Sequence, residues 1–483
     1  MLRFCVKLIS IFLLISPHLA SGSPRLNFII ILVDDLGWMD LSCQGSDYYQ
    51  TPNIDRLAAE GMRFTNAYAA CAVCSPTRAA IQTGRYPGRI GVTDWIRSRF
   101  QRDQMGTPGK NPVDYVGSPK RRFLCPPNPY WMEHEELTIA EILGQEGYQS
   151  AHIGKWHLGD DGWYPTEQGY DENRGGCDYG QPPSYFDPFN RPNHRHPMIR
   201  AGIPYLEGRQ EGQYLTDREA DEAVSLIHQW KEEPFFIHLA HYAVHTPIQA
   251  EEAITAKYRR AGKKESNAKY AAMVESVDRS TGRVLAILDE LGIADETVII
   301  FTSDNGGLDR QKSPTENAPL RSGKGYAYEG GIRVPFIVRW PGQVPAGKTS
   351  DMPISSIDVL PTLLDAAAIP APSDRVIDGL SLVPHLRSGG QIPLTRDTLI
   401  WHFPHYRHDP GPYSIIRKGP WKLIKFYEGI RELYHLDDDL GETVNLVLQQ
   451  KPLADSLESE LMAKLKDMGA RLPRPNPAYQ PSR

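Results

Sequence analysis

Four short runs of the chain are almost continuously apolar, and each ends in polar residues. "NFIIILV", from Asn27, is followed by Asp34 and Asp35; "YQSAHIG" by Lys155, Trp156 and His157; "PFFIHLA" by His241 and His245; "TVIIFTS" by Asp304 and Asn305. Apolar runs without alternation predict strands buried on both faces, as in a parallel sheet covered by helices. Between them the apolar spacing changes to three and four. "TIAEILGQEG" sets Thr138 and Glu141 at capping-box spacing, with Ile139, Ile142 and Leu143 on one face and Gly147 to end it. "AKYAAMVESVDRSTGRVLAILDELG" reads as a longer amphipathic helix closed by Gly292. Strand and helix alternate, which predicts an α/β architecture, and ligands of open α/β sheets bind just beyond the carboxyl ends of the strands. Four strand ends are therefore expected to deliver their polar groups to one edge.

The pattern changes twice. From about Asp94 to Pro129, and in "QPPSYFDPFNRPNHRHP" after Gly180, periodicity is lost and Arg, Gly and Pro accumulate, which predicts long surface loops that shape substrate choice. After about Arg396, "YSIIR", "WKLIKFY" and "RELYHL" predict an antiparallel meander, and a final helix carries Leu453, Leu457, Leu461 and Leu465 on one face. The beginning differs from both. "MLRFCVKLISIFLLISPHLASGS" has Arg3 and Lys7, an apolar core from Leu8 to Ile15, and small Ala20, Ser21 and Gly22. That core is shorter than the roughly 20 residues a bilayer span needs, so a cleaved export signal is expected and no stable membrane span. The expected division is a signal peptide over 1–22, an α/β catalytic domain over 23–395 and a small α+β domain over 396–483.

Bulk composition narrows the classes. Hydrophobic content of 40%, charged content of 23% and 10% aromatics over 483 residues describe an ordinary globular protein. The net charge of −6 is spread evenly, with no basic stripe to suggest nucleic acid. None of the thirteen asparagines begins an Asn-x-Ser/Thr sequon, which favours a bacterial periplasm or exterior over a eukaryotic secretory route.

Asp34, Asp35, Asp304 and Asn305 offer only oxygen atoms, a donor set that suits Ca²⁺ or Mg²⁺ and not zinc. "DDDLGE" at Asp437 lacks the alternating ligands of a calcium loop and reads as a solvated turn. In "CAVCSPTRAAIQTGRYP", Cys71 and Cys74 have Cys-x-x-Cys spacing, but no second such pair exists to complete a zinc site. Ser75 fits a helix N-cap, Pro76 the first turn, and Gly84 the end. Cys74 then lies at a helix N-terminus, where anions bind readily, with Arg78 one turn on. A nucleophile, an anion-binding helix end and a guanidinium together point to an oxyanion ester as substrate. A buried inert thiol, or a Cys71–Cys74 disulfide, is the plainer reading of the same residues.

The run Cys74-Ser75-Pro76-Thr77-Arg78, continued by "AAIQTGRYP", resembles the Cys-x-Pro-x-Arg signature of the type I sulfatases, and "GYQSAHIGKWHLG" from Gly147 resembles their second signature. The resemblance runs from about Asn27 to the C-terminus. It implies an alkaline-phosphatase-like α/β sandwich, with a large, mostly parallel mixed sheet between helices and a small C-terminal α+β domain. It implies that a maturation enzyme oxidises Cys74 to formylglycine, and that one Ca²⁺ is held by Asp34, Asp35, Asp304, Asn305 and the modified residue 74. Arg78 matches the residue that holds the formylglycine, Lys155 and His157 the pair flanking it and the sulfate, His245 the histidine near the leaving oxygen, and Lys324 the sulfate-binding lysine. The implied activity is hydrolysis of a sulfate ester, with a sulfated poly- or oligosaccharide as the substrate of an exported bacterial member. A phosphoryl or phosphonate hydrolase of the same superfamily and a non-catalytic polysaccharide-binding protein are the competing readings. Arg97, His402, His405 and Arg407 are candidate sugar contacts. Modification of Cys74 would leave Cys43, Cys71, Cys125 and Cys177 available for pairing.

Overall fold

The computed structural model describes residues 25–102, 109–208, 210–309 and 313–481, so the expected signal segment lies outside the described residues. The run from Asn27 is buried at all seven positions and forms the first strand, β1 (Asn27–Val33). The other strands of its sheet are β2 (Met62–Phe64), β3 (Gln149–Gly154), β4 (Glu172–Arg174), β5 (Phe235–Ala240), β6 (Thr297–Ser303), β7 (Phe336–Arg339) and β8 (Lys348–Ser350). They are ordered β8-β2-β7-β6-β1-β5-β3-β4. All neighbours are parallel except β7, which runs against both β6 and β2.

The apolar runs thus become the sheet centre, with β1 between β5 and β6 in near-level register: Leu32 pairs with Ala240 and Val33 with Ser303. Helices cover it. Helix α1 (Cys74–Thr83) is buried along its whole length and ends at Gly84 with φ 66°. Helix α2 (Ile139–Gln145) has the expected capping box, in which Thr138 Oγ1 accepts from the Glu141 amide and the Glu141 carboxylate accepts from the Thr138 amide. Helix α3 spans Leu215–Trp230, and helix α4 (Glu265–Leu291) ends at Gly292. One expectation fails: Val73, not Ser75, is the N-cap of α1. The helix starts earlier because the Ser75 hydroxyl is engaged elsewhere, donating to the His157 carbonyl and accepting from the Ile96 amide.

The C-terminal meander has four strands: β9 (Thr398–Phe403), β10 (Tyr413–Lys418), β11 (Trp421–Phe426) and β12 (Arg431–His435). Helix α5 (Lys451–Asp467) packs on it through buried Leu457, Leu461 and Leu465, with Leu453 partly covered. The small sheet also meets the segment leading into α1, where Cys71, Ala72 and Val73 pack among Trp401, Phe403 and Ile415. A buried charge cluster ties the layers together: Lys422 on β11 lies 2.9 Å from Glu329 and 2.8 Å from Glu442. Cys43, Cys71, Cys74, Cys125 and Cys177 are all unpaired thiols, so the even number left by modification of Cys74 has no counterpart in disulfides. Among the described residues no helix is long and apolar enough to cross a membrane.

Candidate active site

The ends of β1, β3, β5 and β6 meet at one edge of the sheet, and the N-terminus of α1 faces them. Two of the turns there adopt a costly conformation, since Asp35 and His157 both have φ 61°, and non-glycine residues are held in that region only where their surroundings enforce it. At the end of β3, Gly154 leaves room for the neighbouring strand, because a Cβ there would lie 2.2 Å from the Ala240 carbonyl oxygen.

The ten candidate catalytic and metal-ligating residues all reach this edge or the helix end facing it. The Cys74 thiol donates to Asp34 Oδ1 at 3.8 Å and accepts from Lys324 Nζ at 3.2 Å. Lys155 Nζ lies 2.6 Å from Asp34 Oδ2, and Lys324 Nζ lies 2.6 Å from Asp35 Oδ1. Arg78 donates from Nε to Asp304 Oδ2 at 2.8 Å and from Nη1 to the Lys155 carbonyl at 2.6 Å. Asn305 Nδ2 donates to Asp35 Oδ1 at 2.7 Å. His245 Nε2 lies 3.4 Å from Asp35 Oδ2. Ligand atoms of Asp34, Asp35, Cys74 and His245 all lie within 4.8 Å of one another, a grouping able to hold a metal ion. Asp304 is turned toward Arg78, while its Oδ1 accepts from the Asp35 amide at 3.3 Å.

Burial sets the electrostatics. Removal from water, reinforced by the Asp304 charge, pushes the Asp34 carboxyl up to about 8. Burial also opposes ionisation of Asp35, but Lys324 and His245 beside it hold its carboxyl below the usual range. The Cys74 thiol is pushed up to about 11, mainly by burial. His245 is pushed down to about 3 by burial and by Lys324, and His157 is also held neutral, by burial and by Lys155. Their hydrogen bonds fix the tautomers. A carbonyl only accepts, so His157 Nε2 donates to Ile96 at 2.7 Å and its Nδ1 is left buried without a partner. His245 Nδ1 likewise donates to the Thr246 carbonyl at 2.9 Å and presents Nε2 to the site.

Cys74, His157, His245 and Lys324 line a cavity of about 290 Å³. The rest of its lining comes from the long loops, as expected: Trp95 and Gln101 from one, Gly180–Pro183, Arg191 and His194 from the other. Of the four candidate sugar contacts only Arg407 lines it. His402 belongs to β9 and is spent on Ser414 Oγ at 2.7 Å, His405 is buried against Thr93 Oγ1 at 2.8 Å, and exposed Arg97 lies over the Trp95 ring. The sequence reading missed one support of His245 and a buried hydrogen-bonded group near it in the chain. Tyr185 donates its hydroxyl to the carbonyls of Tyr242 (2.6 Å) and His245 (2.8 Å). His241 is held between Glu219 Oε2 (2.6 Å) and Ser280 Oγ (3.0 Å), all three buried. These partners come from distant segments, so no local spacing marks them.

Comparison with known proteins gives the family. The sulfatase family model matches residues 26–369, and the model described as N-sulphoglucosamine sulphohydrolase, C-terminal, matches residues 322–471. Human N-acetylgalactosamine-6-sulfatase is 34% identical over 390 residues, covering 77% of this chain and 67% of its own. A sulfatase of Formosa agariphila is 32% identical over 543 aligned positions, covering 94% and 91%. The crystal structure of Ps i-CgsB in complex with k-i-k-neocarrahexaose is 30% identical with a TM-score of 0.76, covering 92% and 93%. The chain belongs to the sulfatase family and is a sulfuric ester hydrolase of alkaline-phosphatase-like fold.

Proposed function

We propose that the chain removes sulfate from a sulfated polysaccharide, using a formylglycine made from Cys74 and one Ca²⁺ held by Asp34, Asp35, Asp304 and Asn305. The observation that carries this reading is where the Cys74 side chain ends: on the cavity wall, between the Asp34 carboxylate and the Lys324 ammonium. The donor set fits a hard cation. Asp35 Oδ2 and Asn305 Oδ1 are buried without hydrogen-bond partners, and a divalent ion would offset the burial and the Asp304 charge that together raise Asp34. When present, the cation supplies Lewis acidity toward a sulfate oxygen, and the hydrated aldehyde supplies one hydroxyl to attack sulfur and a second to expel sulfate.

The remaining work falls to the chain's own side chains. Lys155, Lys324 and Arg78 gather the charged oxygens of the sulfate in a pocket too dry to screen them. Arg78 is pinned by Asp304, so its position is set before substrate arrives. His245 Nε2 is the group that protonates the departing sugar oxygen, whose alkoxide is a poor leaving group. Substrate brings the negative charge that raises the proton affinity of this imidazole. His157, with Nδ1 free to accept a proton, is the base that resets the site.

A carbohydrate substrate, one containing galactose or N-acetylgalactosamine, belongs to this reading, and it is supported by a relative named N-acetylgalactosamine-6-sulfatase and by one solved in complex with k-i-k-neocarrahexaose. Export through residues 1–22 to the periplasm or exterior, maturation by a separate formylglycine-generating enzyme, and a domain boundary near 395/396 belong to the same reading. Mass spectrometry of the tryptic peptide containing residue 74 is expected to show an aldehyde in place of the thiol, and Cys74→Ala to abolish sulfate release. Fully active enzyme with an intact Cys74 thiol would refute the mechanism. Preference for aryl phosphate over aryl sulfate would favour the phosphoryl hydrolase reading.

A further inference from the structure

The even spread of charge along the sequence conceals a concentration of charge in the fold. Lys120, Arg121 and Arg122 lie in one long loop, and Arg471 and Arg474 lie near the C-terminus, more than three hundred positions away. The two segments are tied together by backbone. Phe123–Leu124 pairs antiparallel with Arg474–Pro475, and the Asn476 side chain donates to the carbonyls of Ser118 at 2.9 Å and Arg121 at 2.8 Å. All five cations are exposed, and none makes an ion pair with any described residue.

Two tyrosines organise them. Arg471 and Arg474 lie over the Tyr115 ring, at 5.0 and 4.1 Å, and Arg121 lies over the Tyr406 ring at 4.6 Å. Arg471 spends one Nη2 hydrogen bond on the Val113 carbonyl at 2.6 Å, and Arg122 Nη1 lies 3.5 Å from the Glu428 carbonyl; stacking leaves the other guanidinium N–H groups open to solvent, in the fork geometry that matches two oxygens of a tetrahedral anion. Two carboxylates adjoin the strip, exposed Asp114 beside Tyr115 and half-buried Glu428, which accepts from the Tyr406 hydroxyl and keeps its charge; five cations outnumber them. Holding five unpaired cations together costs repulsion in the free protein, and an anion with repeated charges would remove it.

The strip also reaches the cavity rim. The Tyr406 hydroxyl accepts from the Phe123 amide at 3.1 Å, and the next residue, Arg407, lines the cavity. The cavity lining itself holds Arg191, Arg407 and Lys324 and no carboxylate. None of the five strip cations lines the cavity, so they serve only a substrate that extends beyond it.

We propose that Lys120, Arg121, Arg122, Arg471 and Arg474 form an exosite for the sulfated chain that continues from the sugar held in the cavity. The inference rests on the sulfated-polysaccharide reading above. It makes the enzyme selective for long, multiply sulfated chains over single sulfated sugars.

Affinity electrophoresis tests this directly, with Cys74→Ala protein run through gels containing carrageenan or neutral agarose alone. Carrageenan is expected to retard the protein. Lys120→Gln/Arg121→Gln/Arg122→Gln and, separately, Arg471→Gln/Arg474→Gln are each expected to weaken binding roughly tenfold at low ionic strength, and added salt should erase the difference. In the Cys74 enzyme the same substitutions should raise KM for the polymer by a similar factor and leave turnover of a small aryl sulfate within about twofold. Unchanged thermal melting confirms that the variants fold. Retardation equal to that of the parent protein, or an equal loss on polymer and aryl sulfate, would overturn the exosite. If the enzyme released no sulfate from either substrate, the hydrolytic reading would fall, while the binding comparison in Cys74→Ala protein would still decide the strip.

Discussion

Asp278 shows how much a single buried carboxylate can impose on the fold. It lies on helix α4 and accepts from the amides of Asn53 at 2.9 Å and Ile54 at 2.8 Å, capping the start of the helix at Pro52–Ala59. Burial pushes its carboxyl from 3.8 up to about 6. The folded state therefore prefers the protonated form, and the contribution is complete below the unfolded value and lost as pH rises through about 6. Asp278→Asn is expected to remove that dependence, so that urea unfolding at pH 4 and pH 7 differs by about 2–3 kcal/mol less in the variant than in the parent. At Tyr185 the function is steric aim. Tyr185→Phe strips two buried carbonyls of their donor, at a cost of about 1–3 kcal/mol. Because one of those carbonyls belongs to His245, kcat should fall more than KM rises, and steady-state kinetics on an aryl sulfate would show it. The ten residues that converge on the sheet edge could be picked out in the sequence because each follows a strand end or belongs to a compact signature. Tyr185, Glu219 and Ser280 were not, because each acts through a hydrogen bond to a segment that sequence spacing does not link to it.

Among the elements, the long helix and the buried strands followed from periodicity, and their terminators can be tested. Gly292 has φ 71° and open space around its Cβ position, so Gly292→Ala pays only for the left-handed backbone, about 1 kcal/mol in chemical unfolding. Gly154→Ala is expected to cost several times more, since its Cβ would meet the Ala240 carbonyl oxygen at 2.2 Å. Two elements escaped the pattern. Strand β7 is as apolar as its neighbours, and nothing in a four-residue buried run states that it runs antiparallel. Strand β9 contains His402, a polar residue that looked available for substrate until its partner on β10 was seen. The joint between sheets was equally hidden, because Lys422 reads as one more basic residue in an alternating strand. Lys422→Met should destabilise the protein by about 3–5 kcal/mol, because it strips the buried Glu442 of its cation and leaves Glu329 beside it with only the longer Arg333 ion pair at 3.4 Å.

For the whole molecule, stability and activity should depend together on the proposed cation. Asp34, Asp35 and Asp304 are buried at one edge, and an ion that binds them only when folded stabilises the protein by mass action, by about 2.7 kcal/mol at one hundred times its Kd. Treatment with EGTA is expected to lower both the unfolding midpoint and sulfate release, and Ca²⁺ to restore them. The same edge also sets a timetable. Its members come from positions between Asp34 and Lys324, and Lys324 follows Cys74 by 250 residues. At about 5–20 residues per second, a ribosome needs roughly ten to fifty seconds to make that interval. Strand β1 has neither neighbour until residues 235–240 are made and lacks the second until 297–303, and Lys324 comes later still. A residue that ends 2% exposed thus begins with a long interval of free access, set by the order of strands along the chain.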